Sequence, residues 1–329
     1  MKRVLVTGAA GFIASRVSSL LLDRGIEVIG LDNLNDAYDV RMKHHRLAAL
    51  EGREGFSFVR AEIENLGDLE PIFAANQFDA VFNLAARAGV RYSIEDPHVY
   101  LRSNAQGALN LMEMMHRHDC GKLVLASTSS LYAGQPMPFR EDLPVEKPLS
   151  PYAASKKAAE VLSYTYHHLY GFDVSILRYF TVYGPAGRPD MAPFRFIRWI
   201  HEGTPITVFG DGSQTRDFTY VDDIALGTVL AGKPMGDGGK AGHEVINLGG
   251  GKTPISLLDF IRKIEDRLGR KAEIVWQPMS ASEMQDTSAD ITKARDLLGW
   301  TPQIDLDAGL DTTVSWYLEN LAWAKEVVL

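Results

Sequence analysis

Cysteine is almost absent: the chain of 329 residues carries one, Cys120. A disulfide framework is therefore excluded, and the composition suits a reducing compartment, with Cys120 expected to pack. Long apolar runs are also missing. No stretch of about 18 apolar residues occurs, so no membrane span is expected. Met1-Lys2-Arg3 enters a short apolar segment without the h-region of a signal peptide, and the expectation is a soluble, cytoplasmic protein. Positive charge is in deficit, with 34 Lys and Arg against 42 Asp and Glu and a net charge of −8. That balance argues against a nucleic-acid partner, which needs a basic surface. Repeats, low-complexity tracts and an evident linker are lacking as well. What is present is 46% hydrophobic content, enough for a large core in two lobes.

The chain opens with Arg3-Val4-Leu5-Val6-Thr7, a run fit for a buried strand. It leads through Gly8-Ala9-Ala10-Gly11-Phe12-Ile13-Ala14 into the apolar periodicity of Val17, Leu20, Leu21 and Leu22. Strand, glycine turn and helix make a phosphate cradle, because backbone approaches closely and the helix N-terminus offers free N–H groups. A second apolar strand, Ile26 to Leu31, ends at Asp32. That is about 20 residues past the turn, where an acid holds the ribose 2′-hydroxyl and repels a 2′-phosphate. NAD is expected over NADP.

Tyr152 and Lys156 stand four apart, so a helix places both on one face. A free phenol, with a pKa of about 10, is a poor base at neutral pH, and a neighbouring ammonium favours its phenolate. Thr128, in Ser127-Thr128-Ser129-Ser130, offers a hydroxyl to hold a substrate oxygen. Tyr-x-x-x-Lys by itself is common; the glycine turn upstream gives it meaning.

Strands are expected at Phe56–Arg60, Ala80–Leu84, Lys122–Ala126, Val174–Leu177 and Glu244–Leu248. Helices are expected around Val40–Leu50, Leu69–Ala75, Val99–His118 and Ala153–Tyr170, with one near Val221-Asp222-Asp223-Ile224. Such alternation builds a parallel sheet. After Tyr179 the chain is punctuated by Gly184-Pro185, Gly187-Arg188-Pro189 and Gly210-Asp211-Gly212. The expected fold class is α/β, a Rossmann-type doubly wound parallel sheet with a smaller, discontinuous C-terminal substrate domain. Residues 1–180 plus about 217–250 would form the NAD-binding domain, and about 181–216 plus 251–329 the other. Ligands should lie between them, at the carboxyl ends of the strands.

Thr7-Gly8-Ala9-Ala10-Gly11-Phe12-Ile13, Ser127-Thr128-Ser129, Tyr152-x-x-x-Lys156 and Leu177-Arg178-Tyr179-Phe180 resemble the extended short-chain dehydrogenase/reductases acting on nucleotide sugars. The resemblance continues through Arg216-Asp217-Phe218 and Val221-Asp222-Asp223 to Leu298-Gly299-Trp300-Thr301-Pro302. Three stretches resemble the UDP-glucuronate 4-epimerases most: Asp32 to Val40, Ala88 to Ser93, and Phe180 to Pro185 with Arg188 to Met191.

The resemblance implies 4-epimerisation of a UDP-sugar with NAD as cofactor. Tyr152 would take the C4 hydroxyl proton, Lys156 would lower the phenol's pKa and bind ribose, and Thr128 would orient the hydroxyl. The 4-keto sugar would then turn over and regain its hydrogen on the other face. Implied cofactor contacts are Gly8, Ala10, Gly11, Phe12, Ile13, Asp32, Asn33, Glu62, Ile63, Leu84, Ala85, Ala86 and Tyr179, with Tyr152 and Lys156. Implied substrate contacts are Arg91, Ser127, Ser129, Thr181, Arg188 and Arg216, the last at the UDP phosphates. Ser127, Ser129, Thr181 and Arg188 would hold a uronate carboxylate out of line with the C4 carbonyl, since a β-keto acid so aligned loses CO2.

Related 4,6-dehydratases carry Asp-Glu where this chain has Ser129 and Ser130, and UDP-glucuronate decarboxylases a glutamate at Ser130. Thr181 replaces the asparagine usual for neutral sugars. Alternatives are a UDP-glucose or UDP-N-acetylglucosamine 4-epimerase, a decarboxylase or, further off, a non-catalytic NAD-binding regulator. The chain departs from the family pattern at Ala14, Ala133, Glu62, Arg87 and Glu283. The near-paired histidines, among them His167 and His168, suggest no metal site, because adjacent residues do not share a helix face. Family members commonly form homodimers through two helices, here Val99–His118 and Ala153–Tyr170, and Tyr164, Tyr166 and Tyr170 would pack in a core or in the dimer seam.

Overall fold

The computed structural model describes residues 1–236, 240–278 and 284–329. Glu283 lies outside the described residues. Six strands of the main sheet are β1 (Arg3–Thr7), β2 (Glu27–Asp32), β3 (Phe56–Arg60), β4 (Ala80–Asn83), β5 (Lys122–Thr128) and β6 (Asp173–Tyr179). A seventh, His243–Leu248, pairs with β6 at one edge. The order across the sheet is His243–Leu248, β6, β5, β4, β1, β2, β3, with every pairing parallel. The order reverses at β1, which is where a doubly wound sheet opens its ligand crevice.

Alternation of side chains across β1 builds both cores. Val4 and Val6 pack on one face with Val17 and Leu21 of α1 (Phe12–Leu22). Leu5 packs on the other with Leu69 and Phe73 of α3 (Leu66–Ala75) and with Leu111 and Met115. Continuous burial of Val4, Leu5 and Val6 at 0% exposure explains why the strand reads as an unbroken apolar run. The long helix Pro151–Tyr170 is fixed at both ends. Ser150 caps its start by accepting from the Ala153 N–H at 3.2 Å, Pro151 opens the first turn, and Gly171 closes it at φ +70°.

Two strands run further than the expected bounds. β5 continues to Thr128 and β6 to Tyr179, which carries Thr128 and Tyr179 to the rim of the sheet. The expected helix Val99–His118 is three pieces instead: Pro97–Tyr100, a π-helical turn Leu101–Gln106, and Gly107–Arg117. The wide turn serves buried side chains. Asn104 donates to the Arg87 carbonyl and the Ser155 hydroxyl, each at 2.9 Å, and accepts from the Arg87 N–H at 2.9 Å.

The rest of the chain forms a second packing centre, including Phe196, Ile200, Ile206, Phe260 and Leu310. Its main helices are Ala192–Glu202, Leu257–Leu268 and Leu306–Glu319. Short strands absent from the sequence expectation pair across it: Ile206–Phe209 with Ile274–Gln277, and Thr215–Arg216 with Ile255–Ser256. Thr181–Tyr183 and Phe218–Tyr220 pair where the chain leaves and rejoins the sheet. Asp217, beside that return, accepts from the N–H groups of Gly250, Gly251 and Ala289, tying three distant segments together.

Candidate active site

A cleft of about 840 Å³ lies at the carboxyl ends of the strands, between the sheet and the second packing centre. Its floor is the glycine turn. Gly8 sits at φ +70°, and a Cβ there would come 2.9 Å from the Ala85 backbone. A Cβ on Gly11 would meet the Gly8 carbonyl at 2.8 Å. Gly11 is also the N-cap of α1 and has no side-chain cap, and the first turn carries no acid. The helix end therefore keeps its N–H groups and its partial positive charge for an anion.

Asp32 closes β2 and is buried, 6% exposed. It accepts from the N–H groups of Ala10 at 3.2 Å and Leu34 at 2.8 Å. Lys43 Nζ stands 3.7 Å from its Oδ1. Burial pushes the Lys43 ammonium down, the Asp32 charge raises it, and Arg87 and Arg46 lower it further. Asn33 follows Asp32 and accepts from the Asn35 side chain at 2.8 Å. Beyond β3, Glu62 is exposed and Ile63 buried. Leu84 and Ala86 line the cleft after β4, and the Ala85 N–H is held by Thr7 Oγ1 at 3.1 Å. Phe12, Ile13 and Tyr179 line the cleft too; the Tyr179 hydroxyl is bonded to Thr228 at 2.9 Å.

Thr128, Tyr152 and Lys156 come together at the centre. Lys156 is buried, 4% exposed, and its Nζ donates to the Ala126 carbonyl of β5 at 2.9 Å. Desolvation brings its pKa down to about 8, with Glu160 pulling upward. Burial pushes the Tyr152 phenol up, while the Thr128 hydroxyl beside it and the Arg188 charge pull it down. The sequence expectation gave the lowering role to Lys156. The Lys156 ammonium donates to the Ala126 carbonyl, and Arg188 is the cation that acts on the phenol.

Among the substrate expectations, Ser129, Thr181, Arg91, Arg188 and Arg216 all line the cleft. Arg188 pairs with Asp190 at 2.6 Å, donates to the Ala88 carbonyl at 3.2 Å and stands over the Tyr38 ring. Arg91 lies 4.0 Å from the Phe209 ring centroid. Arg216 donates to the carbonyls of Thr215 and Gln285, at 2.8 and 3.0 Å. Ser127 also reaches the cleft, but its hydroxyl proton goes to Glu160 at 2.6 Å. Glu160 is clamped by Arg178 through two bonds, at 2.9 and 2.8 Å. Ser127 therefore presents lone pairs, not a proton, to a ligand.

Four residues that build the site were not singled out from the sequence. Arg46 donates to the carbonyls of Ala10, Ala186 and Gly187 and to the Tyr38 hydroxyl, pinning the glycine turn to the loop that carries Arg188. Lys43, Glu160 and Asn104 complete the set. Lys43 and Arg46 fall one turn apart within α2 (Val40–Ala48), so their placement on one face was the available signal.

The fold and site define a dinucleotide-binding α/β enzyme with a tyrosine–threonine–lysine centre. The chain belongs to the NAD dependent epimerase/dehydratase family, whose model matches residues 4–249. It is 55% identical over 323 residues to the UDP-glucuronate 4-epimerase of Thermodesulfobacterium geofontis, covering 98% of each chain. It is 43% identical over 338 residues to UDP-glucuronate 4-epimerase 4 of Arabidopsis thaliana, covering 98% of this chain and 77% of that one. Its structure resembles that of the Bacillus cereus UDP-glucuronic acid 4-epimerase in complex with UDP-glucuronic acid and NAD. The TM-score there is 0.90 at 38% identity, covering 97% of this chain and 99% of that one.

Proposed function

We propose that this protein is an NAD-dependent 4-epimerase that interconverts UDP-glucuronate and UDP-galacturonate. The observation that carries the reading is the set of groups around Tyr152: Thr128 beside the phenol, the Arg188 charge acting on it, and serines in place of acids after Thr128. NAD, when bound, would supply the hydride acceptor and donor for reversible oxidation at sugar C4. The glycine turn fits its pyrophosphate, since both glycines meet backbone where a side chain would intrude, and Asp32 suits its ribose.

Tyr152 receives the C4 hydroxyl proton and later gives it back, acting in turn as base and acid. Thr128 holds the C4 oxygen in line. Lys156 supplies buried positive charge beneath the phenolate and a donor for the nicotinamide ribose. The uronate carboxylate is held by Ser129, Thr181 and Arg188. Ser127 is left out of that set because its proton belongs to Glu160, and it suits a sugar hydroxyl instead. Serines at positions 129 and 130 leave out the acids that would donate a proton there for elimination of water. Residues 1–180 with about 217–250 act as the cofactor domain, and the remainder as the UDP-sugar domain. We place the enzyme in the cytoplasm, as a homodimer.

A Tyr152→Phe protein tests the reading. It is expected to bind NAD and UDP as the wild type does and to lose about a hundred- to ten-thousandfold in turnover, as removal of an acid–base residue predicts. Unchanged turnover would remove Tyr152 from the chemistry. Loss of NAD binding in a folded protein would mean that the phenol is a cofactor anchor rather than a base.

A further inference from the structure

Arg46 is buried on α2, and among the described residues no acid lies within ion-pair reach of it. A cation taken out of water must be compensated, and here carbonyl oxygens and a phenol do it. Nε donates to the Ala186 carbonyl at 2.9 Å, and one terminal nitrogen donates to that of Gly187 at 3.1 Å. The other terminal nitrogen donates to the Ala10 carbonyl at 3.2 Å and to the Tyr38 hydroxyl at 2.8 Å. Four of the five N–H donors are engaged in this way. The group is a cross-link within the protein.

Its two ends lie in different halves of the site. Ala10 belongs to the glycine turn, and Ala186 and Gly187 immediately precede Arg188. That second loop does not hold its shape unaided. Ala186 stands at φ +53°, a left-handed conformation that a residue with a Cβ keeps only where its surroundings fix it. Arg46 does the fixing, because it bonds the carbonyls of Ala186 and of the next residue. A second path runs through Tyr38. Arg46 and Arg188 stand over the same ring, 5.5 and 5.6 Å from its centroid.

Resting on the uronate-epimerase reading above, we infer that Arg46 is a positioning residue that ties the glycine turn to the Arg188 loop and so guards the 4-keto sugar against loss of CO2. Without the tie, Arg188 does not hold the carboxylate out of line with the C4 carbonyl. The C5–C6 bond then breaks, its electron pair passes toward the C4 oxygen as an enolate, and CO2 leaves. A solvent proton adds at C5, and a UDP-4-keto pentose results.

UDP-glucuronate isotopically labelled at C6 tests this on the purified holoenzyme. Labelled CO2 and UDP-galacturonate are measured together, with NAD retained on dilution measured beside them. Arg46→Lys keeps the charge and removes the fork. It is expected to raise CO2 released per epimerisation about tenfold, the scale of one lost hydrogen bond, and to lose NAD faster than wild type. Ala186→Gly removes the Cβ at the left-handed position. Added to Arg46→Lys, it is expected to restore most of the product ratio and none of the NAD retention. Slower turnover with product ratio and NAD retention both unchanged would make Arg46 merely structural and overturn the inference. A change in only one of the two would overturn it as well, because Arg46 would then serve one half of the site and not join them. Should Arg46→Lys fail to fold, Tyr38→Phe deletes one of the four bonds and keeps the ring. A smaller rise in CO2 is expected there, and an unchanged ratio would overturn the inference. A wild type that forms no UDP-galacturonate would end the proposed function instead, and the inference with it.

Discussion

Lys156 shows how a working side chain is held at a cost in stability. Its ammonium is buried, and desolvation brings its pKa from 10.5 to about 8. The folded value lies below the unfolded one, so the penalty is present in full below about pH 8 and is relieved as pH rises toward 10.5. Lys156→Met is therefore expected to stabilise the fold at pH 7 by about 1–3 kcal/mol in urea unfolding, while nearly all turnover is lost. A destabilised variant would mean that the bond to the Ala126 carbonyl outweighs desolvation. At this scale the gathering of Thr128, Tyr152 and Lys156 in one cleft was legible, because Tyr152 and Lys156 are spaced within one helix and Thr128 lies in a short polar run. Arg46 and Glu160 were not, because their partners lie far off in sequence. Arg46 reaches Ala186 and Gly187, and Glu160 reaches back to Ser127 and forward to Arg178. No local pattern announces such contacts.

Elements were read well wherever apolar periodicity decides them. The strands of the main sheet and their parallel alternation with helices were expected, and the ends were off by a few residues where Thr128 and Tyr179 extend their strands. The π-turn at Leu101–Gln106 was missed, since its cause is the tertiary bonding of Asn104 rather than propensity. The short strand pairs of the second packing centre were missed as well, being two to four residues long and set by their partners. Asp217 joins such segments, and its position carries a pH signature. Burial raises its carboxyl from 3.8 to about 6, against three backbone N–H groups that lower it. The folded state then holds the proton more tightly than the unfolded state, so this group's contribution to stability is lost as pH rises from about 4 to about 6. Asp217→Asn has no such titration. The stability difference, variant minus wild type, is expected to climb by about 3 kcal/mol across that window. A difference flat in pH would show that the carboxylate is already ionised throughout it.

For the whole molecule, the change of texture after Tyr179 was the sequence signal for a second packing centre beside the sheet. The surface adds a feature that fits the proposed dimer. Leu101, Val161, Tyr164 and Leu169 are 49–60% exposed on the two helices expected to pair, and clustered apolar exposure of this kind marks an interface. Light scattering is expected to give twice the 36.4 kDa chain mass, and Val161→Arg to shift the protein to the single-chain mass. A wild-type monomer would contradict the dimer. Self-contained uronate epimerisation is tested by proton NMR of the purified protein with UDP-glucuronate and no added NAD. UDP-galacturonate is expected, with no NADH accumulating and no pentose released. UDP-xylose or a 4-keto pentose would contradict it, for the carboxylate would then be unprotected during the 4-keto step.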